Sequence, residues 1–162
     1  MRRRLSVLLG ACVMAVAVAG CSSTTRARVA RVGSTLTLND GIGDTIRVTL
    51  LKFQDPATPA SRRNAPPAGE YLAEVLIKVT GVSGPYQFVA NTAVAVVGSD
   101  KQAYAAGSER LLGCTDFDSG ELTVTPGHSV TGCVAVEIKK GVSAAKIEYD
   151  SGYIGSTGVW IP

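Results

Sequence analysis

Residues 34–53 read STLTLNDGIGDTIRVTLLKF and contain the clearest strand pattern of the chain. Apolar and polar residues alternate over 34–38 and again over 45–53, as they do in β-strands with one buried face. The sequence Asn-Asp-Gly at 39–41 lies between the two runs, and Asp-Gly favours a chain reversal because it tolerates positive φ angles. The stretch therefore predicts a β-hairpin.

Short apolar runs separated by turn residues continue after this hairpin at intervals of about ten residues, which is typical of an all-β sandwich or barrel. Residues 88–97 are almost continuously apolar, a pattern that favours a strand covered on both faces. No amphipathic helix is predicted, so we expect an antiparallel β-sandwich. The core-facing residues of the strand at 70–80 are predicted to be Tyr71, Ala73, Val75, Ile77 and Val79, and further strands are predicted at 102–105, 121–125, 128–138, 145–149 and 157–161.

Two segments are predicted to lie outside the sheets. Residues 55–69 contain four prolines and two arginines, a composition that excludes a core strand and indicates a long exposed loop. Residues 22–32 combine Ser, Thr, Arg and Ala without a clear period. We expect a flexible spacer there, with the folded domain beginning near Gly33.

The first twenty residues have the layout of an export signal. Three arginines at 2–4 precede an uncharged run at 5–17 and the small residues Val18-Ala19-Gly20. The apolar run is shorter than the roughly 20 residues that a membrane-spanning helix needs. The sequence predicts a signal peptide at 1–20, which is removed on export.

The residues Val18-Ala19-Gly20-Cys21 resemble the bacterial lipobox at all four positions. The resemblance implies that Cys21 is acylated and becomes the first residue of a lipoprotein, with a lipidated tether at 21–32 and the domain at 33–162. Two acyl chains hold a protein stably at a membrane. The alternative is cleavage after Ala17-Val18-Ala19, which satisfies the A-x-A rule and would release a soluble protein.

The predicted anchor places the chain at the cell membrane on its extracytoplasmic face. Arg26, Arg28 and Arg31 follow the anchor closely. They either contact anionic lipid head groups or are solvated residues of the spacer.

The charge of the exported chain argues against nucleic acid as a partner. The whole formal net charge of +3 comes from the three arginines of the leader, because their removal leaves 13 Lys and Arg against 13 Asp and Glu. A neutral domain lacks the basic surface that phosphate backbones require.

The four cysteines of the chain have different roles. Cys12 lies in the leader, and acylation of Cys21 leaves Cys114 and Cys133 to form a disulfide. In the strand at 128–138, Cys133 faces away from the apolar positions. We therefore expect the bridge outside the space between the sheets, unlike the bridge of antibody domains.

The sequence offers no set of acid, base and nucleophile that could form a catalytic site, which favours a protein that is not an enzyme. His128 is the single histidine and is predicted to be a surface residue at a strand start. Asp116, Asp118 and Glu121 are the candidates for Ca²⁺, but glycine stands fifth rather than sixth in this stretch and no glutamate follows at position twelve, so a solvated acidic turn is favoured. No zinc site and no cofactor are predicted.

Several short motifs recur in a fixed order along the chain. They are Gly33-Ser34-Thr35-Leu36-Thr37-Leu38, Ala68-Gly69-Glu70-Tyr71-Leu72, Gly98-Ser99-Asp100, Thr125-Pro126-Gly127-His128 with Gly132, and Gly158-Val159-Trp160. The set resembles an immunoglobulin-like domain family of exported Gram-positive and actinobacterial proteins, whose relatives include a small secreted mycobacterial immunogenic protein. The resemblance covers 33–162 and implies an immunoglobulin-like sandwich at the cell surface, without a catalytic motif.

Two functions follow as hypotheses. The first is a non-enzymatic, lipid-anchored surface module that binds a protein or an envelope component. The alternative is a lipoprotein that binds Ca²⁺ through the loop at 116–121 or a small ligand through aromatic side chains. The aromatic candidates are Tyr71, Tyr149, Tyr153 and Trp160, for which core packing is the simpler explanation.

Overall fold

The structure is a computed structural model that describes residues 28–117, 121–152 and 155–162. Nearly all of the regular structure in these ranges is β-strand. One short helix, α1, covers Ala90–Ala93, and a 3₁₀ turn covers Arg62–Asn64. The strands are β1 (Arg28–Arg31), β2 (Thr35–Asn39), β3 (Thr45–Ala57), β4 (Glu70–Ser83), β5 (Tyr86–Phe88), β6 (Val94–Gly98), β7 (Ala103–Ala105), β8 (Leu122–Val124), β9 (Ser129–Lys139), β10 (Ala144–Asp150) and β11 (Thr157–Ile161).

Two sheets pack face to face and confirm the predicted β-sandwich. One sheet has five strands in the order β1-β11-β10-β6-β7, and the other has four in the order β2-β3-β4-β9. Strands β5 and β8 form a separate two-stranded ribbon. The pairing of β1 with β11 is parallel, whereas the other paired strands are antiparallel.

The core lies between the sheets and follows the alternation of the sequence. In β3, Ile46 and Val48 are fully buried while Arg47 between them is exposed. The predicted inward positions of β4 all pack into this core, with Tyr71 at its margin. Trp160 and Tyr149 are the largest fully buried side chains. Full burial of a Val, Leu, Ile or Phe side chain in this core stabilises the fold by about 1.5–3 kcal/mol.

The predicted hairpin is confirmed, and its turn is held by Asp40. The Asp40 Oδ1 atom accepts the backbone N–H groups of Ile42, Gly43 and Asp44 at 2.9, 3.0 and 2.9 Å. Gly41 takes a φ of 86°, a value that glycine adopts without steric cost.

The sandwich includes the last part of the segment that was predicted to be a flexible spacer. Residues Arg28–Arg31 form β1, which pairs with Gly158 to Ile161 of β11. As an edge strand, β1 buries little: Val29 is 65% exposed and Ala30 is half-buried. The sequence Arg-Val-Ala-Arg has no alternation of apolar and polar residues, so it carried no strand signal.

The prediction of a loop at 55–69 is wrong at its start, because β3 continues to Ala57. The pairing of β2 with β3 ends at Thr49, so the last part of β3 lies at a sheet edge. The register with β4 shifts between Gln54 and Ala57, and this bulge contains Pro56. Proline is accepted at bulges and sheet edges because no partner strand needs its missing N–H group.

The prediction of one strand over 88–97 is also wrong. Helix α1 separates β5, which pairs with β8, from β6, which lies in the five-stranded sheet. A chain that changes sheets must bend, and the short helix provides the bend. Ala90 and Ala93 are buried in the core, which explains why the run is apolar without being a strand.

Candidate functional site

The disulfide fastens a loop to the outer face of the four-stranded sheet. Cys114 is joined to Cys133, with their Cα atoms 6.2 Å apart. Ala135, which shares the outward face of Cys133, packs with Leu72 and Leu111 in a small cluster separate from the main core. The bridge therefore lies outside the space between the sheets, as predicted. Cys133 is nevertheless only 1% exposed, because the loop covers it.

The same loop covers the free edge of β9. The Gly107 N–H group donates to the Ala135 carbonyl at 2.8 Å, and the Phe117 N–H group donates to the Cys133 carbonyl at 3.2 Å. In the opposite direction, the Cys133 N–H group donates to the Thr115 carbonyl at 3.0 Å. An uncovered edge strand would present these groups to other chains and promote association. The loop at 106–117 thus protects the sheet.

Removal of the bridge should loosen this loop first. We expect the double variant Cys114→Ala, Cys133→Ala to lose about 3 kcal/mol of unfolding free energy, because the closed loop constrains the unfolded chain. Hydrogen exchange followed by mass spectrometry should show early exchange at 106–117 while the core strands stay protected. Reduction of the unmodified protein is the control and should give the same pattern. Uniform loss of protection across the domain would contradict the prediction.

A cleft of about 250 Å³ lies between this loop, helix α1 and the edge of β9. Its polar lining is formed by Asn91, Ser108, Glu109, Arg110 and Asp116. The Oδ1 atom of Asn91 is buried and accepts no hydrogen bond from the residues that the structure describes. Sequence reasoning missed this cleft because its walls come from three distant segments.

The structure describes part of the candidate calcium loop, namely residues 116, 117 and 121. Asp116 lines the cleft, and its Oδ2 atom lies 3.5 Å from Nε of Arg110. Glu121 is exposed at the start of the segment that leads into β8, and Asp118 lies outside the described residues. Within the described ranges, no group of three potential ligands is close enough to hold a metal ion. The carboxylate of Asp116 faces a guanidinium instead.

The outer face of the four-stranded sheet carries a second candidate site, the hydroxyl face. It consists of two neighbouring rows of residues that cross all four strands. Six of these eight residues are Thr or Ser, and two are basic. One row is Thr37, Arg47, Thr80 and Ser129, and the other is Thr35, Thr49, Lys78 and Thr131.

Hydrogen bonds hold several hydroxyl groups of this face in place. The Oγ1 atoms of Thr35 and Thr49 are 2.7 Å apart, and the Thr80 and Ser129 hydroxyl oxygens are 2.8 Å apart. The rows border a shallow depression of about 380 Å³. This arrangement presents a flat array of donors and acceptors.

The charge of the hydroxyl face is entirely positive. Arg47 and Lys78 are exposed, and neither forms an ion pair with any residue in the described part of the chain. Glu74 lies two outward positions beyond Lys78 on β4 and is paired with Lys52 at 3.1 Å. Residues 21–162 contain 13 Lys and Arg against 13 Asp and Glu, so the positive charge of this face is balanced by acidic residues elsewhere.

The other sequence candidates that the structure describes do not come together in one site. His128 is exposed before β9, as predicted. Tyr149 and Trp160 are buried in the core rather than in a ligand groove, and Tyr153 lies outside the described residues. Burial, followed by the charge of the nearby Asp55, raises the pKa of Tyr71 to about 12. Cys21 also lies outside the described residues.

Comparison with solved structures identifies proteins of similar fold. MPT63, a secreted protein from Mycobacterium tuberculosis, is similar with a TM-score of 0.57 at 16% sequence identity, over 85% of this chain and 98% of that chain. An uncharacterized β-sandwich protein from Clostridium difficile gives a TM-score of 0.48 at 9% identity, over 84% of this chain and 94% of that chain. At these identities the likeness to MPT63 shows the fold alone. No protein-family model matches the chain, and no curated protein matches it.

The described residues contain no helix with the length and apolar character needed to cross a bilayer.

Proposed function

We propose that the chain is an extracytoplasmic lipoprotein whose sandwich is a non-enzymatic module that binds an anionic polymer of the cell envelope. Acylated Cys21 would hold it at the membrane. The observation that carries the proposed binding function is the hydroxyl face, which combines ordered hydroxyl groups with two cations that form no ion pair with a described residue. A membrane-anchored protein meets envelope polymers at high local concentration, which favours such a partner.

The spacing of the two cations suits a polymer with repeated negative groups. Arg47 lies opposite Thr80, and Lys78 is two residues away on the same strand. Such diagonal positions in a sheet are about 7–8 Å apart. Long basic side chains on these positions can reach two anionic groups on successive repeat units. The threonine hydroxyls between them can exchange hydrogen bonds with polyol or sugar hydroxyls.

The number of cations separates this partner from nucleic acid. Proteins that bind duplex DNA commonly make about 6–10 phosphate contacts, whereas the hydroxyl face offers Arg47 and Lys78 alone. A flexible polymer with widely spaced charges needs fewer contacts for weak, repeated binding, since many sites along one chain add avidity.

The binding test uses polymers of defined charge. Poly(glycerol phosphate) and polygalacturonate supply phosphodiester and carboxylate groups, and dextran is the neutral control. We expect saturable binding to the anionic polymers that weakens with salt. The variant Arg47→Ala, Lys78→Ala should bind about tenfold to thirtyfold more weakly, since each lost contact to an exposed charge costs about 1 kcal/mol.

The variant Arg62→Ala, Lys140→Ala is the matched control. It removes the same charge from exposed positions outside the hydroxyl face and should keep affinity within about twofold, because charges beyond a Debye length are screened. Equal weakening by both double variants would show that only net charge matters and would refute the proposed site. If dextran bound as tightly as the anionic polymers, the proposal that the partner is an anionic polymer would be refuted.

A further inference from the structure

The turn between β2 and β3 carries the most exposed large apolar residue in the described part of the chain. Ile42 is 83% exposed, and the glycines on either side of it, Gly41 and Gly43, have no side chains that could cover it. Removal of apolar surface from water is favourable. The tip of this turn is therefore suited to contact with a second apolar surface.

The turn holds Ile42 in a fixed position. The Asp40 Oδ1 atom accepts three backbone N–H groups of the turn. The turn after β4 packs directly against the hairpin, because a Cβ atom at Gly84 would overlap the Asp44 carboxylate. A preformed turn can enter a contact without the entropy loss that ordering a mobile loop would cost.

Hydrogen bonds place the start of β1 at the same end of the sandwich as this turn. The carbonyl of Asn39, the last residue of β2, accepts the N–H group of Ser156 and the hydroxyl group of Ser151, both at 2.7 Å. Ser156 directly precedes β11, in which Gly158 pairs with Arg28. The chain therefore enters the sandwich beside the turn that carries Ile42.

Two more exposed apolar residues lie at this end. Val82 is 44% exposed and lies where the end of β4 pairs irregularly with the start of β3. Val29 is 65% exposed and is the second residue of β1. Six large apolar residues are exposed in the described ranges, and three of them are thus concentrated here. Concentration of this kind is typical of a contact surface, whereas scattered single residues are not.

The charges around these residues are of both signs. Arg28 and Asp150 are exposed, and Asp44 is half-buried. Asp150 pairs with Thr157 at the start of β11, so it lies at the same end as Arg28. A strongly charged surface would be repelled by one sign as it is attracted by the other. A zwitterionic surface with an apolar interior has neither problem.

The length of chain before β1 determines which surface this end meets in the proposed lipoprotein. Only residues 22–27 separate Cys21 from Arg28, and even a fully extended segment of this length is short. An acylated Cys21 would therefore keep this end of the domain close to the bilayer. Tethering raises the local concentration of the surface, so weak apolar contacts become populated.

We propose that Ile42, Val82 and Val29 form an apolar tip that docks into the interface of the lipid bilayer. This inference rests on the proposed anchor at Cys21. In the docked state the sandwich stands on the end at which β1 begins. The hydroxyl face then lies on the side of the docked domain, where a polymer can reach it.

The test detects contact between the tip and lipid directly. The exported chain is labelled with ¹³C at its Ile and Val methyl groups. Cys21, the one thiol that the disulfide leaves free, is coupled to a maleimide phospholipid in phosphatidylcholine nanodiscs. We expect nuclear Overhauser effects between the acyl-chain methylene protons and the methyl groups of Ile42 and Val82. Ile161 is 39% exposed at the far end of β11 and should show none. Absence of the effects at Ile42 would overturn the proposal.

A pair of variants measures the contribution of Ile42. Docking is followed by the paramagnetic broadening that spin-labelled head groups cause at the amides of 82–84. Ile42→Ser should lower the docking equilibrium about tenfold and leave the Tm unchanged, because the residue is outside the core. Leu112→Ser is the matched control. Leu112 is 65% exposed, and its N–H group donates to the Thr58 carbonyl just beyond the far end of β3. Equal effects of the two variants, or none from Ile42→Ser, would overturn the proposal.

Failure of the docking can be distinguished from failure of the anchor. Chemical coupling replaces the acyl chains, so the nanodisc experiment does not depend on acylation in the cell. Acylation in cells without lipid contacts in nanodiscs would overturn the docking alone. Absence of acylation in cells would overturn both proposals. The variant Arg47→Ala, Lys78→Ala should keep the lipid contacts, since the hydroxyl face is not part of the tip.

Discussion

Replacement of Cys21 by alanine is expected to move the protein from the membrane fraction to the soluble exported fraction. In the proposed anchor the thiol sulfur of Cys21 accepts the lipid, so the variant could not be acylated. Each buried methylene of an acyl chain contributes about 0.8 kcal/mol, and two chains make the anchor effectively permanent. The change should therefore be close to complete. Labelling of cells with a palmitate analogue, followed by fractionation, measures it.

Cys12→Ala is the matched control for this experiment, because it removes a cysteine of the predicted leader, which export would discard. It should retain both the label and the membrane location. The small residues Ala17-Val18-Ala19 allow the general signal peptidase to process the Cys21→Ala chain. Equal labelling of the two variants would contradict the anchor, as would recovery of the unmodified protein from the cytosol with its leader intact.

Trp160→Ala is expected to cost about 3–5 kcal/mol of unfolding free energy. The side chain is 1% exposed, and its Nε1–H group donates to the Ser34 carbonyl at 3.0 Å. The ring also lies against Gly158, where a Cβ atom would come within 2.7 Å of it. Since domains of this kind are stable by about 5–15 kcal/mol in total, the loss is a large share. Urea unfolding followed by circular dichroism measures it.

Trp160→Phe separates ring packing from the hydrogen bond. It keeps an aromatic ring but leaves the Ser34 carbonyl without its indole donor, so we expect a smaller loss of about 1–3 kcal/mol. If Trp160→Ala cost less than the phenylalanine variant, the ring would not be part of the core.

Local sequence patterns are sufficient to predict a strand where one of its faces is buried and the other is solvated. The hairpin was predicted because residues 34–38 and 45–53 alternate, and because Asp-Gly marks the turn. Strand β1 was missed because an exposed edge strand needs no alternation. The break at α1 was missed because Ala90 and Ala93 are buried in a helical turn as well as they would be in a strand.

The candidate sites depend on contacts that a linear pattern does not contain. Alternation in β3 already placed Arg47 and Thr49 on one face. Their neighbours across the sheet follow from the register of four strands, which the sequence does not specify. The cleft was missed for a related reason: Asn91 and Asp116 line the same cleft because the disulfide loop runs back along β9. Neither site is marked by a short sequence motif.

Strand β1 begins so soon after Cys21 that acylation of this cysteine would restrict where the protein can work. Only residues 22–27 separate Cys21 from Arg28, and an extended chain spans at most about 3.3–3.6 Å per residue, which gives a reach of about 25 Å. Strands β3 and β9 start at the same end of the sandwich as β1. With Cys21 acylated, the row with Arg47 would therefore stay within a few nanometres of the lipid head groups and would sample only the innermost layer of the envelope.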